Sequence, residues 1–145
     1  MQHSDLIVVP MRREMTQLGF QELRTPEEVD AFMEANGKGT ALIAVNSICG
    51  CAAGTMRPAV ARALEGQAAP HALGTVFAGR DIEATERARS FFTGYPPSSP
   101  AIALFKDGEL VEMFERHHFK GRHPQMVADE LAGAFERHFA IGSTT

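Results

Sequence analysis

The sequence predicts an α/β domain whose mixed central sheet carries helices on both faces. Three observations lead there. The segment Ala41-Leu-Ile-Ala-Val45 is uninterruptedly apolar and partly β-branched, as a strand buried on both faces must be. Strand-like and helix-like segments alternate along most of the chain, the pattern of parallel β-α units. Finally, Ala101–Phe105 and Glu109–Phe114 flank Lys106-Asp107-Gly108, a hairpin signal that adds antiparallel strands to an otherwise parallel sheet. At 145 residues, with neither repeats nor a linker-like stretch, the chain 1–145 is expected to be a single domain.

Each element has its own local signal. Pro10 reads as a first helical position, and Met11, Met15 and Leu18 form an apolar stripe ending at Gly19, an extra N-terminal helix. Phe20–Leu23 is a short candidate strand. Thr25-Pro26-Glu27-Glu28 is a helix start, with an N-cap, proline at the first position and Glu28 placed to complete a capping box. Val29, Phe32 and Met33 give that helix its buried face, and Asn36-Gly37 ends it. After the buried strand, Ala59–Leu64 is helical up to Gly66, and Pro58 must kink that helix or begin it afresh. Leu73–Phe77 is the next strand. Asp81 is the expected cap of a helix over Ile82–Phe92, with Glu83, Glu86, Arg87 and Arg89 facing outward. A Pro/Ser loop leads to the hairpin. A last helix, Pro124–His138, places Met126, Val127, Leu131, Ala134 and Phe135 on one face.

Composition excludes several classes of function. A formal net charge of −4 without a basic cluster argues against nucleic acid as a partner. The longest apolar runs, such as Leu6–Val9, are too short to span a bilayer. Acidic Asp5 precedes that run with no basic start or cleavage-type site, so no signal peptide and a cytoplasmic location are expected. In that compartment thiols are mostly reduced, and a close cysteine pair is expected to do chemistry rather than staple the fold.

Both cysteines lie in Asn46-Ser-Ile-Cys49-Gly50-Cys51-Ala-Ala-Gly54, between the buried strand and a helix start. A thiolate there gains from unpaired N–H groups and the helix dipole. Cys49 is the expected nucleophile, and Cys51 the resolving thiol that would attack a mixed disulfide on Cys49. With one residue between them the sulfurs reach disulfide geometry only with difficulty, even though Gly50 permits a tight turn. A disulfide there should be strained and prone to exchange. Asn46 and Ser47 are candidates to hydrogen-bond near the sulfurs or to cap the helix. Arg57 is a candidate to favour a thiolate or contact an acidic substrate, with a solvated helix position as the plain alternative. Two other readings stay open: a Cys-x-Cys metal-binding or metal-delivery module completed by His117, His118 or His123, and a redox-inert partner-binding domain.

Two landmarks bring a resemblance into view. The cysteines stand between a buried strand and a helix, and Pro100 immediately precedes the hairpin. The chain thereby resembles the three-layer thioredoxin-like fold, which implies a cis Pro100 that, with Ser99, shapes the edge presented to substrate. It departs from ordinary thioredoxins in lacking tryptophan, with Ile48 before the first cysteine, and in carrying Ile43 where they have a buried acid.

The wider set of residues is similar to the bacilliredoxin family. It comprises Val9–Glu14, Gly19-Phe20, Asn46–Gly54, Arg57-Pro58-Ala59, Val76-Phe-Ala-Gly79, Phe92-Thr-Gly94, Pro97-Ser-Ser-Pro100, Arg116-His117, Gly121 and His123. That resemblance implies thiol–disulfide exchange on cytosolic proteins carrying bacillithiol as a mixed disulfide, with weak disulfide isomerase activity. Bacillithiol would be a thiol co-substrate, and neither a bound cofactor nor a metal is expected.

Overall fold

The computed structural model describes residues 3–140. The elements are α1 (His3–Thr16), β1 (Gln21–Glu22), α2 (Pro26–Ala35), β2 (Thr40–Asn46), a π-helical turn (Ala52–Met56) continuous with α3 (Arg57–Ala63), β3 (Ala72–Phe77), α4 (Ile82–Arg89), β4 (Ala101–Lys106), β5 (Glu109–Phe114), a 3₁₀ turn (Arg116–His118) and α5 (Pro124–Phe139). The sheet order is β1-β3-β2-β4-β5. β1, β3 and β2 run parallel, whereas β4 pairs antiparallel with β2 and β5 antiparallel with β4. The mixed sheet predicted from the hairpin is the one observed.

β2 lies at the centre, and its alternation divides the core. Leu42 and Ala44 face a cluster built with Met15, Val60, Leu131 and Phe135 from α1, α3 and α5. Ile43 and Val45 face a second cluster with Val29, Phe32, Ala84 and Ala88 from α2 and α4. All four of these side chains are fully excluded from solvent, which is why β2 is apolar throughout its middle, from Ala41 to Val45. The hairpin turns through Asp107 and Gly108, both at positive φ (54° and 82°), the conformation a two-residue connection demands.

Several expectations need correction. α1 starts well before Pro10, which lies inside it. Proline's missing N–H deprives only the Leu6 carbonyl of a partner, and Leu6 is solvent-exposed, so water can satisfy that group. At α2, Thr25 Oγ1 accepts the Glu28 N–H at 3.1 Å, but Glu28 reaches back to the Arg24 N–H at 2.7 Å, one residue earlier than a capping box requires. Asp81 makes no side-chain cap to α4; its carboxylate takes a bidentate Arg12 (2.9 Å to each oxygen) and the Phe77 N–H. α4 stops at Arg89, after which Phe91 and Phe92 donate to carbonyls three residues back and the coil tightens. Arg89 turns inward and donates to the Ser98 carbonyl. Met126 is 55% exposed, outside the buried face of α5. Pro58, by contrast, meets the expectation: as the second residue of α3 it marks a fresh helical start, directly after the π turn.

Candidate functional site

The cysteines lie just past the C-terminal end of β2, the edge where open α/β sheets place their ligand crevices. Asn46, the last residue of β2, is buried and organises the turn into the helix. Its Oδ1 accepts from the Ser47 N–H and from Arg57 Nη1, each at 2.9 Å, while Nδ2 donates to the Met11 carbonyl at 3.2 Å. Arg57 is only 3% exposed. It also donates to the Ser47 carbonyl (3.1 Å) and, through Nε, to Glu14 (3.1 Å). Arg57 therefore neither sits in solvent nor reaches a substrate; it ties the Asn46–Ser47 corner to α1 and α3.

That corner aims one hydroxyl at sulfur. Ser47 Oγ donates to Cys49 Sγ at 3.1 Å and accepts the Cys49 N–H at 3.3 Å. The helix begins at Gly50 and Cys51, so the first N–H groups of its opening turn surround the same sulfur. Partial burial pushes the Cys49 thiol up, but the Ser47 hydroxyl, the Ala52 and Cys51 N–H groups and the Arg116 charge outweigh it. The net pKa lies below the ordinary thiol value.

Cys49 and Cys51 are both free thiols, half-buried against the α1/α3/α5 cluster. Ile43 belongs to the opposite cluster, so no acid is restored beneath them at that position. Gly50 does not have positive φ, and a methyl group there would meet nothing within 4 Å. In the dithiol form, then, the turn needs no glycine.

Cys49 opens into a cleft of about 380 Å³ lined by Ser47, Ile48, Ala78, Gly79, Arg80, Ser99 and Arg116. The Ser99–Pro100 peptide bond is cis and Pro100 is buried, leaving half-buried Ser99 on the cleft wall. Ser98 anchors that loop, its Oγ accepting the Arg116 N–H at 2.7 Å and its carbonyl accepting from Arg89.

Of the residues singled out in the sequence, the cleft brings together Ser47, Cys49 and Ser99. Asn46 and Arg57 stand behind it, and Gly50, Cys51 and Pro100 are not among its lining residues. Arg80 and Arg116 carry no sequence signal that marked them as site residues. Arg80 comes just after the parallel strand β3 next to β2, and that placement is the clue that could have found it. His118 Nδ1 accepts the Glu115 N–H and His123 Nδ1 the Gln125 N–H, so both rings serve as local caps. Among the described residues, no three His, Cys, Asp or Glu side chains are grouped to hold a metal ion, and no helix is long and apolar enough to cross a membrane.

Known proteins share this arrangement of sequence. A family model described as disulphide isomerase matches residues 3–139. A bacilliredoxin from Cytophaga hutchinsonii is 52% identical over 134 residues, covering 92% of this chain and 98% of that protein. The chain belongs to the bacilliredoxin family. A second bacilliredoxin, from Geobacillus kaustophilus, is 50% identical over 132 residues, covering 91% of this chain and 90% of its own. Among solved structures, a mutant thioredoxin from Halobacterium salinarum superposes with a TM-score of 0.55 at 18% identity, over 83% of this chain and 90% of that one. That likeness establishes a thioredoxin-like fold. Together, family and fold make this chain a member of a thiol–disulfide oxidoreductase family, and in that general sense a redox enzyme.

Proposed function

We propose that this protein removes bacillithiol from mixed disulfides on cytosolic proteins, with Cys49 as nucleophile. The observation carrying the proposal is the Ser47–Cys49 contact at the mouth of an open cleft, which favours a thiolate where a substrate disulfide can approach. The relatives' name, bacilliredoxin, supports bacillithiol as the small thiol. Cys49 attacks the bacillithiol sulfur, takes the bacillithiol as a new mixed disulfide, and the target cysteine leaves reduced. Cys51 or a second bacillithiol then clears Cys49. The cis-Pro100 loop, with Ser99 on its open side, serves as the edge along which the modified protein docks. Asn46 and Arg57 position Ser47, and Gly50 accommodates the oxidised Cys49–Cys51 pair.

The test presents one carrier protein, modified with either bacillithiol or glutathione, to wild type, Cys49→Ala and Cys51→Ala, read by intact mass. Transfer to wild type and Cys51→Ala is expected, with bacillithiol moved faster than glutathione. Equal rates on the two thiols would remove bacillithiol from the proposal, and transfer to Cys49→Ala would overturn the nucleophile.

A further inference from the structure

The charges around the cleft are unevenly matched. Outside the cleft lining, Arg12, Arg57, Arg87, Arg122 and Arg137 each reach a carboxylate within 3.1 Å. Arg80 and Arg116, both exposed on the cleft wall, pair with no carboxylate among the described residues. Their neighbours in sequence do not serve them. Asp81 is engaged by Arg12 and the Phe77 N–H, and Glu115 accepts the His118 N–H. Among the described residues no Asp or Glu lines the cleft, although acidic residues outnumber basic ones 18 to 14 in the chain. The remaining wall is small or apolar: Ile48, Ala78 and Gly79. A volume of about 380 Å³ is at the lower end of small-molecule sites, too small for a folded partner and sufficient for a small thiol.

We propose that Arg80 and Arg116 form a carboxylate-binding subsite that seats the small thiol of a mixed disulfide, and thereby decides which of its two sulfurs Cys49 attacks. This inference rests on the thiol-removal reading above and concerns its substrate class: disulfides of anionic, carboxylate-bearing thiols. A protein–small-thiol disulfide offers two electrophilic sulfurs. Attack on the protein's sulfur would leave the two proteins cross-linked and release the small thiol. With the carboxylate held by the guanidinium groups, the small thiol's sulfur lies beside Cys49 Sγ. The thiolate bonds to that sulfur, the original S–S bond breaks, and the target cysteine leaves with the electron pair and takes a proton from water. One disulfide is consumed and one formed, so no external oxidant or reductant is needed.

The test uses the Cys51→Ala protein, so that the adduct on Cys49 persists. One carrier protein bearing a single cysteine is modified with mercaptosuccinate (dianionic), 2-mercaptoethanol (neutral) or cysteamine (cationic). Intact mass then separates the small-thiol adduct on Cys49 from the protein–protein adduct. The subsite predicts transfer of mercaptosuccinate about tenfold faster than of 2-mercaptoethanol at low salt, a preference that shrinks as salt is added. Arg80→Gln and Arg116→Gln should each lower that ratio severalfold, the double variant should abolish it, and the protein–protein adduct should gain share. Arg80→Lys should recover part of the ratio through charge alone.

A second measurement needs no turnover: alkylation of Cys49 by iodoacetate relative to iodoacetamide, which the same substitutions should lower severalfold. If no modified carrier is turned over while the alkylation ratio behaves as stated, thiol removal fails and the anion subsite stands. Equal transfer of anionic and neutral thiols in wild type, or ratios that ignore both arginines, would overturn the subsite.

Discussion

On the α1–α3 side of Cys49, Asn46 and Arg57 are nearly excluded from solvent and make hydrogen bonds with each other, with Ser47 and with Met11 and Glu14 of α1. On the cleft side, Arg80 and Arg116 stand exposed with no carboxylate engaged among the described residues. The same residue type does opposite work in the two places. A buried arginine with its hydrogen bonds satisfied fixes a backbone corner, because leaving those acceptors empty would be expensive. An exposed, unpaired arginine adds little to stability and remains available to an incoming anion. The site is rigid where the sulfur is held and open where it must be reached.

That contrast can be broken from either side. The largest effect is expected for Cys49→Ala, which should lower single-turnover thiol transfer by ~1,000-fold or more, since the other thiol, Cys51, does not line the cleft. Cys51→Ala should change the same first step by less than about threefold, the role of Cys51 coming afterwards. Next is Arg57→Met, which removes one of the two donors to the Asn46 Oδ1 and the Arg57 donor to the Ser47 carbonyl. It should lower unfolding stability by about 2–4 kcal/mol, read from the urea midpoint. The Glu14 partner is half in water, so loss of the ion pair itself contributes little. Ser47→Ala should leave the fold in place and slow exchange near neutral pH roughly two- to tenfold, the worth of one hydrogen bond to the sulfur. The loss should be recovered at higher pH, as the less acidic thiol ionises. The smallest effect is Gly50→Ala, placed in open space at an ordinary helical start. It should alter the dithiol protein's stability by no more than about 1 kcal/mol, in the stabilising direction, by thermal melting.

Much of this architecture is legible in local sequence. The apolar run at β2, the Thr25-Pro26 start of α2 and the Asp107-Gly108 turn each carry their information within a few residues, as do the two cysteines before a helix. The features that local sequence hides depend on contacts far apart in the chain. Arg57 reads as a solvated helix residue until Asn46 of β2 and Glu14 of α1 are brought to it. Arg89 looks outward until the Ser98 carbonyl is placed beside it. Asp81 obeys the rule for an N-cap, yet a guanidinium from α1 outcompetes the helix for its carboxylate. Pro10 breaks a helix in isolation, but here the affected turn faces water and costs little. Arg80 and Arg116 come from loops after β3 and β5, and only the sheet order brings them to one cleft. The motifs there, Val76-Phe-Ala-Gly79 and Arg116-His117, carry the family resemblance but do not by themselves point to an anion site.

The proposed chemistry turns on Cys49 being a thiolate held from behind by Ser47, and one titration tests that most directly. The ultraviolet absorbance of the thiolate in the Cys51→Ala protein, measured against pH, reports Cys49 alone. Because its folded pKa is depressed, the thiolate should persist to lower pH than in an ordinary cysteine and disappear as pH falls through that lowered value. The inflection should therefore lie below the range of a free thiol, and Ser47→Ala should move it upward. An inflection at or above the free-thiol range, unmoved by Ser47→Ala, would contradict a thiolate held in this way.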